Sequence, residues 1–333
     1  MDFTLNISTH PGDLAIIEHD WVNAQQILVD EGFAGYELYP VGKYSWERIP
    51  PGMIRGLHLR FFPIITPFWR NDHRRLLDIF GNKETIARFY GAHTPEALID
   101  NYRTQLNLAH QLGCTYVVFH LSQSEFDNIY DWQFPWDWRD TVTICAEILQ
   151  AMFADSPFAG ELLLENLWWP GSFRALHAEE IAYVLKRITH PRAAIMLDTG
   201  HLLNTNQQIA SEREGIRYLL DTVRSLGEMR GSIRGVHLQK SLSAGYVMQS
   251  QSATPPAAPP DSFWKQYFEA IDHVRKIDQH DAFEDTAIAD LFDLINPATV
   301  TYEFTFASRR EWLDKIRQQH RSMERVHRNC KKI

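Results

Sequence analysis

Six short apolar runs in this chain each end in a residue type that can bind a metal or move a proton. GLHLR carries His58, YVVFH His120, LLLEN Glu165, AIMLDTGH Asp198 and His201, RGVHLQ His237, and TVTYEF Glu303. Each run has a strand's length and content, and its polar residue falls at the C-terminal end. One histidine in such a place is more often a hydrogen-bonded core residue than a ligand. Six runs in series point to one shared mouth. Glu165, Asp198, His237 and Glu303 would form a mixed oxygen and nitrogen shell, which suits Zn, Mn or Co better than a thiolate-seeking ion. Singly, each acid could cap a helix or pair with an arginine; four at successive strand ends favour a divalent metal.

Positioning such a set requires parallel strands whose C-terminal ends gather on one face. Eight strands are expected: 3–8, 34–39, 55–60, 115–120, 160–166, 193–198, 232–238 and 299–304. Most intervals hold a helix of ten or more residues, among them 95–113, closed by the capping glycine Gly113, and 179–189. Alternation of this kind predicts an α/β fold, a (β/α)8 TIM barrel, with catalysis at the C-terminal face. The chain is expected to form a single domain over 1–333. Its length exceeds the roughly 250 residues such a barrel needs, so loop insertions at that face are predicted at 61–93 and 242–277. Residues 242–262, which include ATPPAAPPDS, read as a mobile loop, and FWKQYFEAIDHVRKI (263–277) as an inserted lid helix.

Hydrophobic content of 44% supports a large core, and no apolar stretch approaches a membrane span. The opening MDFTLNISTHPGDL lacks the basic-then-apolar pattern of a secretory signal, so a cytoplasmic location is expected. Cys114, Cys145 and Cys330 are odd in number and without CxxC spacing, arguing against disulfides and zinc-thiolate sites. A net charge of −9 argues weakly against a broad nucleic-acid surface. The basic stretch from Arg309 to Lys332 reads as the last barrel helix with a solvated face.

The ordered set of His120, LLLEN, MLDTGH, GVHLQ, Asp-Gln-His (278–280) and TYEF resembles the xylose isomerase-like barrel superfamily. That superfamily holds sugar phosphate isomerases and epimerases and also AP endonuclease family 2, the endonuclease IV type. The resemblance covers nearly the whole chain. In the epimerase branch it implies one divalent metal on Glu165, Asp198, His237 and Glu303, with the two glutamates also shuttling protons. In the endonuclease branch it implies three zinc ions, with His58, His120, His201, Asp278 and His280 as further ligands. The chain thus offers donors for one to three ions. It departs from the endonuclease pattern in LRFFPIITPFW after His58, in MLDTGHLLNT, and in DAFEDTAIADLF after Asp-Gln-His, where the family has a glycine-containing turn.

The expected reaction is isomerisation or epimerisation of a sugar-like hydroxy-carbonyl compound through an enediolate, with Glu165 and Glu303 as the acid and base pair. The alternative is metal-assisted hydrolysis of a phosphate ester, including one in a nucleic acid, which better explains the extra His and Asp ligands. A third reading is a catalytically silent binding barrel. Asn166, His201 and His120 could orient substrate hydroxyls or support the metal ligands. Trp168 and Trp169, directly after Glu165 and Asn166, could stack on a sugar ring or base, or pack beneath a neighbouring loop, with equal weight. Trp132, Trp136 and Trp138 are assigned to packing or to a contact between copies in a homo-oligomer. Glu37 is read as a substrate contact or a buried hydrogen-bond partner.

Overall fold

The computed structural model describes residues 1–252 and 262–330. Eight parallel strands close into a barrel: β1 (Asp2–Ser8), β2 (Gly35–Tyr39), β3 (Ile54–His58), β4 (Tyr116–His120), β5 (Glu161–Glu165), β6 (Ala193–Asp198), β7 (Ile233–Leu238) and β8 (Thr299–Tyr302). They pair in sequence order, and β1 closes on β8. Every expected strand is present, though β3 stops at His58 and β8 one residue short of Glu303.

Alternation along the strands sorts the side chains into two layers. On β5, Leu162 and Leu164 join the main core, which also takes in helix residues such as Leu106, Val184 and Trp312. Leu163 belongs instead to a small separate cluster with Tyr116, Val118, Ala194 and Met196, which fills the barrel interior. Glu165 shares Leu163's parity and therefore emerges above that plug. The interior is tight. A Cβ on Gly56 would stand 2.1 Å from the Tyr116 ring, so this inward position takes glycine to admit the phenol.

The helix Pro95–Gln111 starts where Thr94 accepts a hydrogen bond from the Ala97 amide, and the chain turns away at Gly113 with φ 71°. The predicted 179–189 helix is Ala178–Arg187, and the C-terminal stretch splits into Arg309–Ser322 and Glu324–Cys330. Among the described residues no helix is long and apolar enough to cross a membrane.

Residues 61–93 are not an irregular loop but carry helices Thr66–Trp69, His73–Phe80 and Lys83–Tyr90. The lid helix Phe263–Ile277 has the expected bounds, with Ser262 as its N-cap. The mobile-loop expectation for 242–262 is corrected over part of its length, because Ala244–Ser252 is helical. The composition hid two anchors: Val247 is buried, and the Tyr246 hydroxyl lies 2.7 Å from Nδ1 of His273 on the lid helix. Residues 253–261 of that expectation lie outside the described part.

Candidate metal centre

Strand register begins the site. It sets His120 beside Glu165 and Asp198 beside His237, and the shared inward parity sends all four side chains into the mouth. His58 arrives from the end of β3, and Glu303 from the residue just after β8. Asp198 also caps the short helix Thr199–Asn204, accepting the His201 amide at 2.6 Å, which carries His201 into the same space. The glycine of LDTGH has a steric reason: a Cβ on Gly200 would stand 2.0 Å from Oε1 of Gln239.

Asp278 and His280 reach the site from the far end of the lid helix. Lys240 and Asp281 form an antiparallel bridge, N to O at 2.7 and 2.9 Å, and Ser241 Oγ accepts from the Gln279 amide at 2.8 Å. His280 itself takes a left-handed backbone conformation, at φ 49°. This costly backbone position is held by both ring nitrogens of that histidine, one on the Glu303 carbonyl at 3.1 Å and one on Asp278 at 2.7 Å.

All nine candidate donors come together in three adjoining sets, with donor atoms in each set within 4.8 Å of one another. They are His58, His120 and Glu165; Glu165, Asp198, His237 and Glu303; and His201, Asp278 and His280. Glu165 stands in two of them. Its Oε2 lies 3.3 Å from His58 Nε2 and 3.2 Å from His120 Nε2, and its Oε1 lies 3.2 Å from His201 Nδ1 and 3.3 Å from His237 Nδ1.

The histidines are oriented from behind. His58 Nδ1 donates to the Leu59 carbonyl at 3.0 Å, His201 Nδ1 to the Asn166 carbonyl at 2.8 Å, and His280 Nδ1 to the Glu303 carbonyl. A carbonyl can only accept, so each bond leaves Nε2 of that ring turned toward a carboxylate. Asn166 does further work: its amide joins the Asp198 backbone N–H and C=O at 2.8 and 3.1 Å, locking the β5 and β6 ends together.

Three more residues complete the scaffold: Glu37, in the expected alternative role of a buried hydrogen-bond partner, and Gln239 and Ser241, which lay outside the expected set. Glu37 accepts from Tyr116 at 2.8 Å and from Thr301 at 3.1 Å, and lies 2.9 Å from Nε2 of His237. Gln239 donates to Asp198 Oδ1 and Asp278 Oδ1, both at 3.0 Å, tying the central set to the third one. Ser241 donates to Gln239 Oε1 at 2.8 Å. Gln239 shares the inward parity of His237 two residues earlier, and that spacing was the signal available for it.

Burial alone would raise the Glu165 carboxyl, but the neighbouring imidazoles, His120 and His237 foremost, hold it well below the usual range. Burial pushes Asp198 up to about 7, with His201 opposing and the carboxylates of Glu165, Glu303 and Asp278 adding to the rise. His201 and His237 are raised well above their ordinary value, as the surrounding carboxylates outweigh burial. His280 rises to about 9 in the same way beside Asp278. Burial works against the charge on Glu303, yet His237 and His280 bring it down to about 2. This is a concentrated mixture of acids and imidazoles with little water to screen it.

The donor set fits a divalent cation on one further observation. Asp198 Oδ2, His237 Nδ1 and Glu303 Oε2, all in the central set, are buried without a hydrogen-bond partner. They converge, His237 Nδ1 lying 3.0 Å from Glu303 Oε2 and 3.9 Å from Asp198 Oδ2, so that one cation among them would engage all three. Nitrogen and oxygen donors without thiolate suit Zn, Mn or Co.

Trp168 and Trp169 are buried at the mouth. Trp168 lies 4.9 Å from the His201 ring, and Trp169 lies 5.2 Å from Trp132 and 6.0 Å from Phe134. Trp138 packs on Tyr183 at 5.2 Å, and Trp136 on Phe134 at 5.6 Å.

Comparison with known proteins adds a family and a fold. The family model described as xylose isomerase-like TIM barrel matches residues 27–281. Endonuclease IV from Thermus thermophilus is similar in structure, at 15% identity and TM-score 0.50, with 98% of this chain and 100% of that chain covered. So is 3-keto-D-glucoside 4-epimerase from E. coli, at 11% identity and TM-score 0.50, with 97% and 98% covered. No curated protein matches the sequence significantly. At these identities the two structures speak for the barrel fold.

Proposed function

The chain belongs to the xylose isomerase-like TIM barrel family, and within it we propose a metal-dependent hydrolase of phosphate esters. The observation that carries this reading is the trio of adjoining donor sets, two of which share Glu165. An isomerase working through one ion has use for the central set alone. Five more donors, each buried or nearly so and aimed at the same mouth, suit a multinuclear centre.

Divalent ions, Zn or Mn first and Co next, held by the three sets would supply an acidified water and positive charge against the phosphate oxygens. The residues divide the remaining work. Glu165 has both oxygens engaged by imidazoles, so it acts as the shared ligand. Glu303 is the more exposed of the two carboxylates, at 17% against 1% for Glu165, which makes it the acceptor for a proton of the attacking water. The water oxygen adds to phosphorus and the bond from phosphorus to the alcohol oxygen breaks. The departing oxygen takes a proton from solvent, to which Glu303 returns its own. The lid helix over the mouth and the net charge of −9 favour a small phosphate ester over a duplex.

One observation favours the isomerase reading: Glu165 and Glu303 approach the same nitrogen, His237 Nδ1, at 3.3 and 3.0 Å. Two such carboxylates beside one ion could pass a proton on and off a carbon next to a carbonyl. Metal analysis of protein purified without chelators separates the readings, joined to assays for phosphate release and for proton exchange of ketoses in heavy water. Two or three ions with phosphate release support hydrolysis. One ion with proton exchange and no phosphate release overturns it.

A further inference from the structure

Three aromatic side chains link the donor residues to a cavity beyond them. The Tyr39 ring lies 5.5 Å from that of His58, Phe61 4.7 Å from His120, and Trp168 4.9 Å from His201. All three line a cavity of about 260 Å³ that also meets Trp169 and, from the lid helix, Tyr267 and Val274. The surrounding residues form a hydrophobic cluster separate from the main core, in which Ile129, Leu167, Trp168, Trp169 and Ala270 are buried. The cavity thus lies beside the donor sets, walled on that side by the three rings that contact His58, His120 and His201, and extends to the helix Phe263–Ile277.

Its chemistry selects what can enter. Among the described residues that line it, the charged groups are Glu125 and Arg275, and Glu125 is already paired with Arg75. A polyol there would leave most of its hydroxyls without partners, whereas a flat apolar group gains from burial and from ring stacking. One buried donor of a lining residue, Trp168 Nε1, has no hydrogen-bond partner. We infer that this cavity is the leaving-group site for phosphate esters of planar, apolar alcohols, the aryl phosphates, rather than of sugars. The inference rests on the phosphoesterase reading of the adjoining centre, where the aryl–oxygen bond stays intact and the phosphorus–oxygen bond breaks.

Calorimetric titration of the metal-loaded full chain with 2-naphthol and with xylitol tests the cavity apart from turnover. Naphthol is expected to bind at least about tenfold more tightly than xylitol. Ala270→Phe fills the cavity from the lid helix without touching a metal donor and should weaken naphthol by at least about tenfold with metal content unchanged. Ile271→Phe, on the same wall, serves if the first variant does not fold. Folded, metal-replete variants that bind naphthol like the parent would overturn the inference, as would equal binding of the two probes. Phosphate release from 2-naphthyl phosphate and ribose 5-phosphate then separates the two readings. Naphthol binding without release from either ester keeps the apolar site and sinks the phosphoesterase. Equal release from both esters keeps the phosphoesterase and sinks the aryl preference.

Discussion

Nε2 of His237 lies 2.9 Å from Oε1 of Glu37, and this contact decides which face of the imidazole looks into the mouth. With Nε2 committed as donor, Nδ1 is left toward Glu165 and Glu303. Glu37→Gln should keep the barrel folded but weaken the tightest metal about 10- to 100-fold, the usual cost of losing a carboxylate behind a ligating histidine. Competition with a coloured chelator measures this; an unchanged affinity would show that Glu37 is structural only.

Glu165 is shared by two donor sets, so its loss should be felt twice. Metal analysis of Glu165→Ala is expected to show about two ions fewer than the parent, against about one fewer for His280→Ala or Asp198→Ala. Loss of a single equivalent from all three variants would dissolve the idea of a shared ligand.

Glu303→Gln should still bind a phosphate ester yet lose turnover by a factor on the order of a hundred or more, the scale of general-base loss. Steady-state rates with metal content held at the parent level provide the check. A loss that appears only as a raised KM, with turnover kept, would assign Glu303 to binding instead.

In the metal-free protein His201, His237 and His280 carry raised pKa values, the last about 9, so they hold protons at neutral pH. Metal must displace those protons, and apparent affinity should therefore rise with pH until the histidines have titrated. The stabilising effect of charged His280 has the corresponding sign: full below about 6.5, its ordinary value, and lost as pH rises through about 9. Calorimetry of metal binding in buffers of different ionisation enthalpy reads the proton release directly; release near zero at neutral pH would contradict the charge state.

Gly200→Ala is predicted to drive a Cβ into the Gln239 amide, which bridges Asp198 and Asp278. A cost of about 1–3 kcal/mol is expected for such overpacking, together with weaker metal binding. Thermal unfolding of the metal-free and loaded forms tests both, and a variant as stable as the parent would mean that Gln239 can move aside freely.

The strands and most donors were legible in the sequence because both depend on short-range pattern. An apolar run such as LLLEN declares a strand, its parity declares which side chains share a face, and parallel order declares that the polar ends meet. Helix limits such as Phe263 and Ile277 were legible for the same reason, since an amphipathic pattern runs over neighbouring residues. What only the tertiary structure decided lies at long range. Glu37 and His237 stand 200 residues apart, and no local signal distinguishes a carboxylate that binds metal from one that braces a histidine. The helix 244–252 is held to a distant segment by Tyr246 meeting His273, and the apolar cavity is walled jointly by Trp168, Phe61 and residues of the helix Phe263–Ile277. Local propensity and parity fix where a side chain starts, but packing between distant segments fixes what it touches, and chemistry at this mouth depends on touch.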